Sequence, residues 1–281
     1  MPFDEFNPPK YVVCKIERYA DLYSQLPKLR CFIFRGHKCS SWSLSSSLER
    51  EYGKYAKRQM IEGVEKDSIE YFRKRSHSYE DSNRNSSGFV DLLASMQHYG
   101  CPTRLIDFTR SFYIATYFAV NDSAELKENF CVWALNFPVL QIYSNKVLGS
   151  KDTSDRLDNA IHNLFEYKGL GVIIAEPEKF SRRMMAQQGV LLAQSDIKTS
   201  FELNLHNQMG TENKPEEVSL DELARINQNI INDIRIIKFE FNKNYIHQVR
   251  CELHQMNVTS EILFPEISGM AKSAIEHLFW Q

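Results

Sequence analysis

The chain has 281 residues, of which 43% are hydrophobic and 25% charged, and its 34 Lys and Arg against 36 Asp and Glu give a formal net charge of −2. This length and composition are typical of a globular chain with a substantial core and argue against extensive disorder. The balanced charge does not indicate bulk capture of nucleic acid, although that partner stays open. No apolar run is long enough to cross a membrane, so we expect no membrane partner and a cytoplasmic location.

The predicted elements begin with residues 11–28, where a short apolar start leads into a helical spacing of apolar residues that Pro27 ends. Helical spacing further predicts helices over 46–76, 88–99, 111–120, 243–256, 259–263 and 266–279. Short apolar runs predict strands over 31–34, 130–135, 171–175, 189–193 and 234–241. The polar stretches 76–87, which we expect to be mobile, and 207–219 are predicted as loops.

These elements predict an α+β fold in which a single mixed sheet is flanked by helices. We divide the chain into a strand and helix lead-in over 1–28, an α+β core over 29–242 and a C-terminal helical tail over 243–281 that packs on the core. The six cysteines include no CxxC pair and no zinc-ligand spacing with histidine. They predict reduced thiols and no metal site.

The strand at 31–34 stops at Arg35 and Gly36. An arginine at a strand end, followed by glycine, presents a flat charged fork beside accessible backbone. Phosphate and carboxylate groups are its natural partners, because two parallel donors match two oxygens. Arg35 can equally pair with an internal carboxylate and serve only to hold the fold together.

Residues 97–109 are dense in hydrogen-bonding side chains, although they lie between two apolar helical stretches. We read this segment as a partly buried loop whose polar groups need partners. One arrangement pairs Arg104 or Arg35 with Asp107, which keeps Asp107 ionised and leaves His98 to bind a ligand or to move protons. A buried polar network that only fixes the core is the alternative.

A third polar feature is the pair of amides Gln187 and Gln188, directly before Gly189 and a predicted strand. Neutral amides suit the recognition of a ribose hydroxyl or a base edge. A plain turn at the start of a strand explains the same residues.

Together these segments resemble the FRG-domain family, whose name is the triplet at 34–36. The resemblance rests on residues 34–36, 42–44, 47–50, 97–109, 115–119, 182–191 and 262–271, and so extends over about 10–281. Members of the family occur in prokaryotic genomes in settings that resemble phage defence. The resemblance therefore implies an antiviral effector.

A more distant resemblance is to arginine-class ADP-ribosyltransferases, in which an NAD site begins with a strand ending in Arg-Gly. Residues 108–119 resemble the second element of that site, and residues 187–191 stand where a catalytic glutamate strand is expected. The resemblance implies NAD as the ligand. Gln188 departs from the pattern, because an amide cannot stabilise an oxocarbenium charge as a carboxylate does.

From these arguments we predict a site with two groups of residues. The residues expected at the reacting centre are His98, Asp107 and Gln188, and those expected to bind the nucleotide are Arg35, Gly36, Tyr99, Arg104, Thr109 and Gln187. A protein partner or target remains open. Two alternatives stand beside the transferase hypothesis: an enzyme that processes nucleotides or nucleic acid with His98, Arg104 and Asp107, and a non-catalytic sensor or protein-interaction module.

Overall fold

The computed structural model describes residues 9–55, 58–78, 88–121, 128–147, 169–226 and 228–278. Within these ranges eight strands form one sheet. They are β1 (Tyr11–Ile16), β2 (Phe32–His37), β3 (Leu105–Thr109), β4 (Phe130–Asn136), β5 (Val172–Ile174), β6 (Gly189–Gln194), β7 (Glu216–Val218) and β8 (Ile236–Phe241). Helices cover both faces of this sheet, which confirms the predicted α+β class.

The helices of the described residues vary from one turn to four. They are α1 (Ser47–Tyr55), α2 (Ile61–Arg75), α3 (Phe89–His98), α4 (Phe112–Val120), α5 (Phe137–Val147), α6 (Arg182–Ala186), α7 (Phe201–Met209), α8 (Leu220–Arg225), α9 (Gln228–Asp233), α10 (Ile246–Gln255), α11 (Ser260–Leu263) and α12 (Ile267–Leu278). In the ranges described, none of them is both long and apolar enough to cross a bilayer.

The strand order is β5-β6-β3-β2-β4-β8-β1-β7. Neighbouring strands from β5 to β8 are antiparallel, whereas β1 is parallel to both β8 and β7, so the sheet is mixed as predicted. Since β1 lies inside the sheet, the N-terminal lead-in contributes directly to the core. The division of the chain into three segments stays a prediction.

Alternating residues along the central strands face two separate cores. In β2, Phe32 and Phe34 pack into one core, and Ile33 packs into the other. α4 is the main helix of the first core and is buried on nearly all sides, because the sheet lies under it and α10 packs against it. This helix is therefore fixed in position, which matters for the site described below.

Several boundaries differ from those predicted. Residues 97–109, read as a loop, contain β3, and the predicted loop 207–219 contains the end of α7 and the strand β7. The predicted helix 46–76 divides into α1 and α2. A polar segment can still be a strand when its apolar neighbours are buried in a sheet, and this accounts for β3.

Two further predictions concern segments next to these. The helix expected within 11–28 is replaced by β1 and by two short 3-10 helices, Tyr19–Ser24 and Leu26–Leu29. The mobile loop expected over 76–87 falls mostly on residues 79–87, which lie outside the described residues. The helices predicted for the C-terminal tail are confirmed as α10, α11 and α12.

Candidate functional site

The sheet is weakly joined between β2 and β3. One residue pair, Phe34 with Thr109, connects these strands, whereas β2 pairs with β4 over six residues and β3 pairs with β6 over five. Past Phe34 the two strands diverge, and a cleft of about 840 Å³ lies beside the junction. The second half of β2 and the last three residues of β3 both contribute to its lining.

Gly36 lies in the second half of β2, where α4 crosses the strand. A Cβ atom built at this position would be 1.9 Å from the carbonyl oxygen of Ala115 and 2.8 Å from the amide nitrogen of Ala119. Both are backbone atoms of a helix and cannot rotate away. The glycine is therefore required for helix packing. It also lines the cleft, and its role in binding stays a prediction.

Arg35 extends from β2 across the divergence. Its Nη1 donates to the backbone oxygen of Asp107 at 2.6 Å, and its Nε donates to His37 Nε2 at 3.1 Å. The first bond supplies a partner for a carbonyl that the broken strand pairing leaves without one. The carboxylate of Asp107 does not take part, so the predicted Arg35–Asp107 pairing exists only through the backbone.

His37 is held in one protonation state by these contacts. Because Arg35 can only donate, His37 Nε2 must accept, and the proton on Nδ1 is then directed at the backbone oxygen of Trp42 at 3.3 Å. Burial, followed by the adjacent charge of Arg35, lowers the pKa of His37 to about 3. The imidazole is therefore neutral at pH 7 and orients the guanidinium without adding charge.

The lining of the cleft has a strong excess of positive charge. It includes four cationic side chains from three parts of the chain, Arg35, Lys38, Arg50 and Arg183, and one carboxylate, that of Asp107. Within the described residues no ion pair joins any of these groups. The pKa of Arg35 is lowered, first by burial and then by Arg50, with a partial opposing effect from Asp107.

Asp107 and His98 both line the cleft. Asp107 Oδ2 accepts a hydrogen bond from Gln97 Nε2 at 2.6 Å, and Gln97 Oε1 accepts one from Thr103 Oγ1 at 3.0 Å. This chain orients the carboxylate, which is exposed to the cleft. The ring of His98 contacts that of Tyr99 edge-on at 5.0 Å, but Tyr99 points outward and does not line the cleft.

Thr109 and Gln187 also line the cleft, but their side chains form hydrogen bonds within the protein. Thr109 Oγ1 donates to the backbone oxygen of Gln187 at 2.7 Å and accepts from the amide of Ser111 at 3.1 Å. Gln187 Nε2 donates to the backbone oxygen of Leu263 at 3.0 Å. These groups join the end of β3 to the turn before β6 and to the C-terminal helices.

Gln188 does not lie in the cleft. Its backbone is left-handed, with φ of 47°, and its side chain lines a second groove of about 510 Å³ together with Met256 and Ile262. Consecutive residues at this turn thus face different cavities. The site predicted from the pair of amides is divided between them, and Gln188 is not near Arg35.

Arg104 is also outside the cleft. It is 2% exposed, and its guanidinium forms a two-point ion pair with Glu65, with Nε 2.8 Å from Oε1, and a third bond to the backbone oxygen of Gln194 at 3.1 Å. The predicted Arg104–Asp107 pair does not form. Glu65 falls between Ile61 and Ile69 on the buried face of α2, and a carboxylate at that helical spacing is the signal that could have identified the partner.

Among the lining residues without a role in the sequence prediction, four are cationic or exposed aromatic side chains. They are Lys38, Trp42, Arg50 and Arg183. Trp42 had one available signal, because a tryptophan in a serine-rich turn has no apolar neighbours to bury it. The indole is 55% exposed. Nothing local marks the three cations, since they converge only through the fold.

Within the described ranges, no group of three or more His, Cys, Asp or Glu side chains is close enough together to hold a metal ion. The polar surface that the fold does assemble is cationic and suits an anionic ligand. The molecule is thus an α+β protein with a positively charged cleft at a break in its central sheet. Residues 30–128 match the FRG domain family, so this part of the chain is an FRG domain.

The matched region includes β2, α1 to α4 and β3, and therefore Arg35, His98 and Asp107. It is shorter than the resemblance expected from the sequence motifs, since α6, β6 and the C-terminal helices lie beyond it. Neither a curated protein nor a solved structure matches the chain. The resemblance to ADP-ribosyltransferases therefore stays a hypothesis.

Proposed function

We propose that this FRG-domain protein binds a phosphate-bearing nucleotide in the cleft, with NAD as the leading ligand. The observation that carries the proposal is the state of Arg35. Its hydrogen bonds to His37 and to the Asp107 carbonyl leave three of the five guanidinium N–H groups without a partner among the described residues, in a cleft with three further cations. A guanidinium with several N–H groups open to a cleft is well suited to bind an anion, because its charge-assisted hydrogen bonds are strong.

Trp42 supports a nucleotide over a simple anion. Its backbone is fixed at both ends, because its amide donates to the oxygen of Cys39 at 3.2 Å and its own oxygen accepts from His37. The indole is exposed at the cleft while the backbone below it is held. Stacking of a base on such a ring contributes about 1–3 kcal/mol per base.

Calorimetric titration with NAD, ADP and AMP tests the proposal, first on the wild-type protein and then on Arg35→Gln. Glutamine keeps one donor for the Asp107 carbonyl and removes the charge, so the sheet junction is preserved. Loss of a charge-assisted contact predicts at least about 10-fold weaker binding. Arg225→Gln, an exposed cation of α8, is the matched control and should bind as the wild type does. No heat of binding with any of the three nucleotides would reject the proposal.

We further propose that a transfer reaction, if NAD is the substrate, depends on Asp107. The carbon–nitrogen bond between ribose and nicotinamide breaks, nicotinamide leaves as a neutral base, and the ribose carbon bonds to an acceptor that releases a proton. Asp107 is the one carboxylate among the described lining residues, so it is the group able to stabilise the positive charge that develops on the ribose. We assign to His98, which also lines the cleft, the role of accepting the proton.

Asp107→Asn separates binding from transfer. The asparagine oxygen still accepts the bond from Gln97, so NAD affinity should change little, whereas release of nicotinamide should fall by about 100-fold or more. Nicotinamide release with equal rates in both proteins would exclude Asp107 as the stabilising group. Binding without any release in the wild type favours the sensor alternative instead.

The alternative set of His98, Arg104 and Asp107 for nucleic-acid processing has less support. Arg104 is buried in the core with Glu65, so of the three residues His98 and Asp107 line the cleft and Arg104 does not. We retain the role in antiviral defence as part of the proposal, on the basis of the FRG domain. Cells that express the wild-type chain should show fewer phage plaques than cells that express Arg35→Gln, and equal numbers would count against that role.

A further inference from the structure

The helix α6 carries a second cation into the cleft. Arg183 lines the cleft, and its Cζ lies 4.7 Å from the centroid of the Phe264 ring. The adjacent Arg182 is exposed and does not line the cleft. Of the two consecutive arginines, it is Arg183 that lies over the face of an aromatic ring. Guanidinium groups interact favourably with such a face.

Phe264 follows α11 and is held rigidly by its neighbours. Its ring packs edge-on against Phe118 of α4 at 6.1 Å, and Phe118 itself lines the cleft. A Cβ atom on Gly269 would be 1.9 Å from the carbonyl oxygen of Phe264, so α12 approaches this residue as closely as two backbones allow. The ring under Arg183 therefore has little freedom to move.

The same segment is anchored to the buried helix α4 by polar contacts. Glu276 of α12 accepts from the amide of Ser260 at 3.1 Å and from its hydroxyl at 2.6 Å, and the hydroxyl of Tyr117 lies 2.5 Å from Ser260 Oγ. Gln187 adds a bond from the cleft lining to the oxygen of Leu263. The C-terminal helices are thus joined to α4 through Tyr117 and to the cleft lining through Gln187, although they lie outside the region matched by the FRG domain.

We propose that Arg183 is a second anion-binding residue of the cleft and that Phe264 is its positioning residue, so that the C-terminal helices complete the ligand site. This inference rests on the proposed function and narrows the ligand to one with two anionic groups, such as a nucleoside diphosphate. Arg35 at the sheet junction binds one group and Arg183 on α6 binds the other. Within the described residues no carboxylate pairs with Arg183, and its charge is available to the ligand.

Titration with ADP and AMP of wild type, Arg183→Gln and the matched control Arg182→Gln tests this assignment. Arg183→Gln should weaken ADP binding by about 10-fold or more and AMP binding by much less, because AMP has a single phosphate group. The ratio of the two affinities should therefore approach one, and Arg182→Gln should leave it unchanged.

Two variants of Phe264 test the positioning role without a change in charge. Phe264→Tyr keeps the aromatic face and should retain wild-type affinity for ADP, whereas Phe264→Leu fills similar space without the face and should lose about 3-fold to 10-fold. Equal affinities in these two variants would show that the ring acts only by packing and would overturn the positioning role. Thermal unfolding of each variant checks that the fold is intact.

The outcomes separate the two proposals. Binding of ADP that is lost in Arg35→Gln but unchanged in Arg183→Gln overturns the inference and leaves the proposed function standing. The inference is also overturned if the wild type binds NAD but shows no measurable binding of ADP or AMP. Two phosphate groups on an adenosine would then not be enough for recognition by the cleft. No binding of NAD, ADP or AMP rejects the proposed function, and the inference with it.

Discussion

Replacing Gly36 by alanine is the sharpest test of how the central sheet and α4 fit together. The added Cβ would lie 1.9 Å from the oxygen of Ala115 and 2.8 Å from the nitrogen of Ala119, whereas carbon–oxygen contacts are normal above about 3.2 Å. Either β2 or α4 must move by more than about 1 Å. Both are packed in the core, so we expect the free energy of unfolding to fall by about 3 kcal/mol, at the upper end of the cost of overpacking.

Differential scanning calorimetry measures this loss as a fall in Tm of roughly 6–12 °C for a chain of this size. The matched control is Gly63→Ala in α2, where the same added atom would have no neighbour within 4 Å. Because alanine is the better helix former, the control should raise the free energy of unfolding by about 0.5–1 kcal/mol. The packing argument would be refuted if the Tm of Gly36→Ala lay within about 2 °C of the wild-type Tm, a change as small as the one expected for Gly63→Ala.

Three further predictions concern buried polar groups. Removing one partner of the Arg104–Glu65 pair, as Arg104→Met or Glu65→Gln, should cost about 3–5 kcal/mol in urea unfolding, and the double variant Arg104→Met with Glu65→Leu should recover most of it. Thr109→Val removes a donor and an acceptor and should cost about 1–3 kcal/mol, whereas Thr109→Ser, which keeps both, should cost less than half as much in the same assay. His37 has a folded pKa of about 3 against an ordinary 6.5, so the unfolded chain binds its proton first and stability from this group is lost as pH falls from about 6.5 to 3. His37→Gln keeps an acceptor and a donor and should flatten that part of the pH–stability curve, and an unchanged slope would assign it to other groups.

The sequence predicts the parts of the fold in which apolar residues dominate. β2, β4, β6 and β8 come from short apolar runs, and the C-terminal helices come from helical spacing. β7 could not be found this way, because two of its three residues are glutamates, and one of them, Glu217, forms an exposed ion pair with Lys15 of β1. β3 was missed because its polar residues, read together with their neighbours, suggested a loop.

The site was predicted in part for a related reason. Arg35, His98 and Asp107 do line one cleft, which their residue types and the strand end indicated. Arg104 is an arginine like Arg35, but it is buried in the core because it pairs with Glu65 of α2. Glu65 is 39 residues away in sequence, so no pattern local to Arg104 indicated the pair. Gln188 and Gln187 are adjacent in sequence, and only the left-handed backbone at Gln188 separates them into different cavities.

Because a single residue pair joins β2 to β3, the sheet consists of two parts, each with continuous hydrogen bonding between its strands. One contains β5, β6 and β3, and the other contains β2, β4, β8, β1 and β7. The Arg35 side chain joins the two parts by its hydrogen bond to the backbone of β3. An anion bound by the remaining N–H groups of Arg35 would therefore stabilise this junction from the side of the cleft. In amide hydrogen exchange, the two parts of the sheet should therefore unfold as separate cooperative units in the free protein. With a ligand bound they should unfold as one unit.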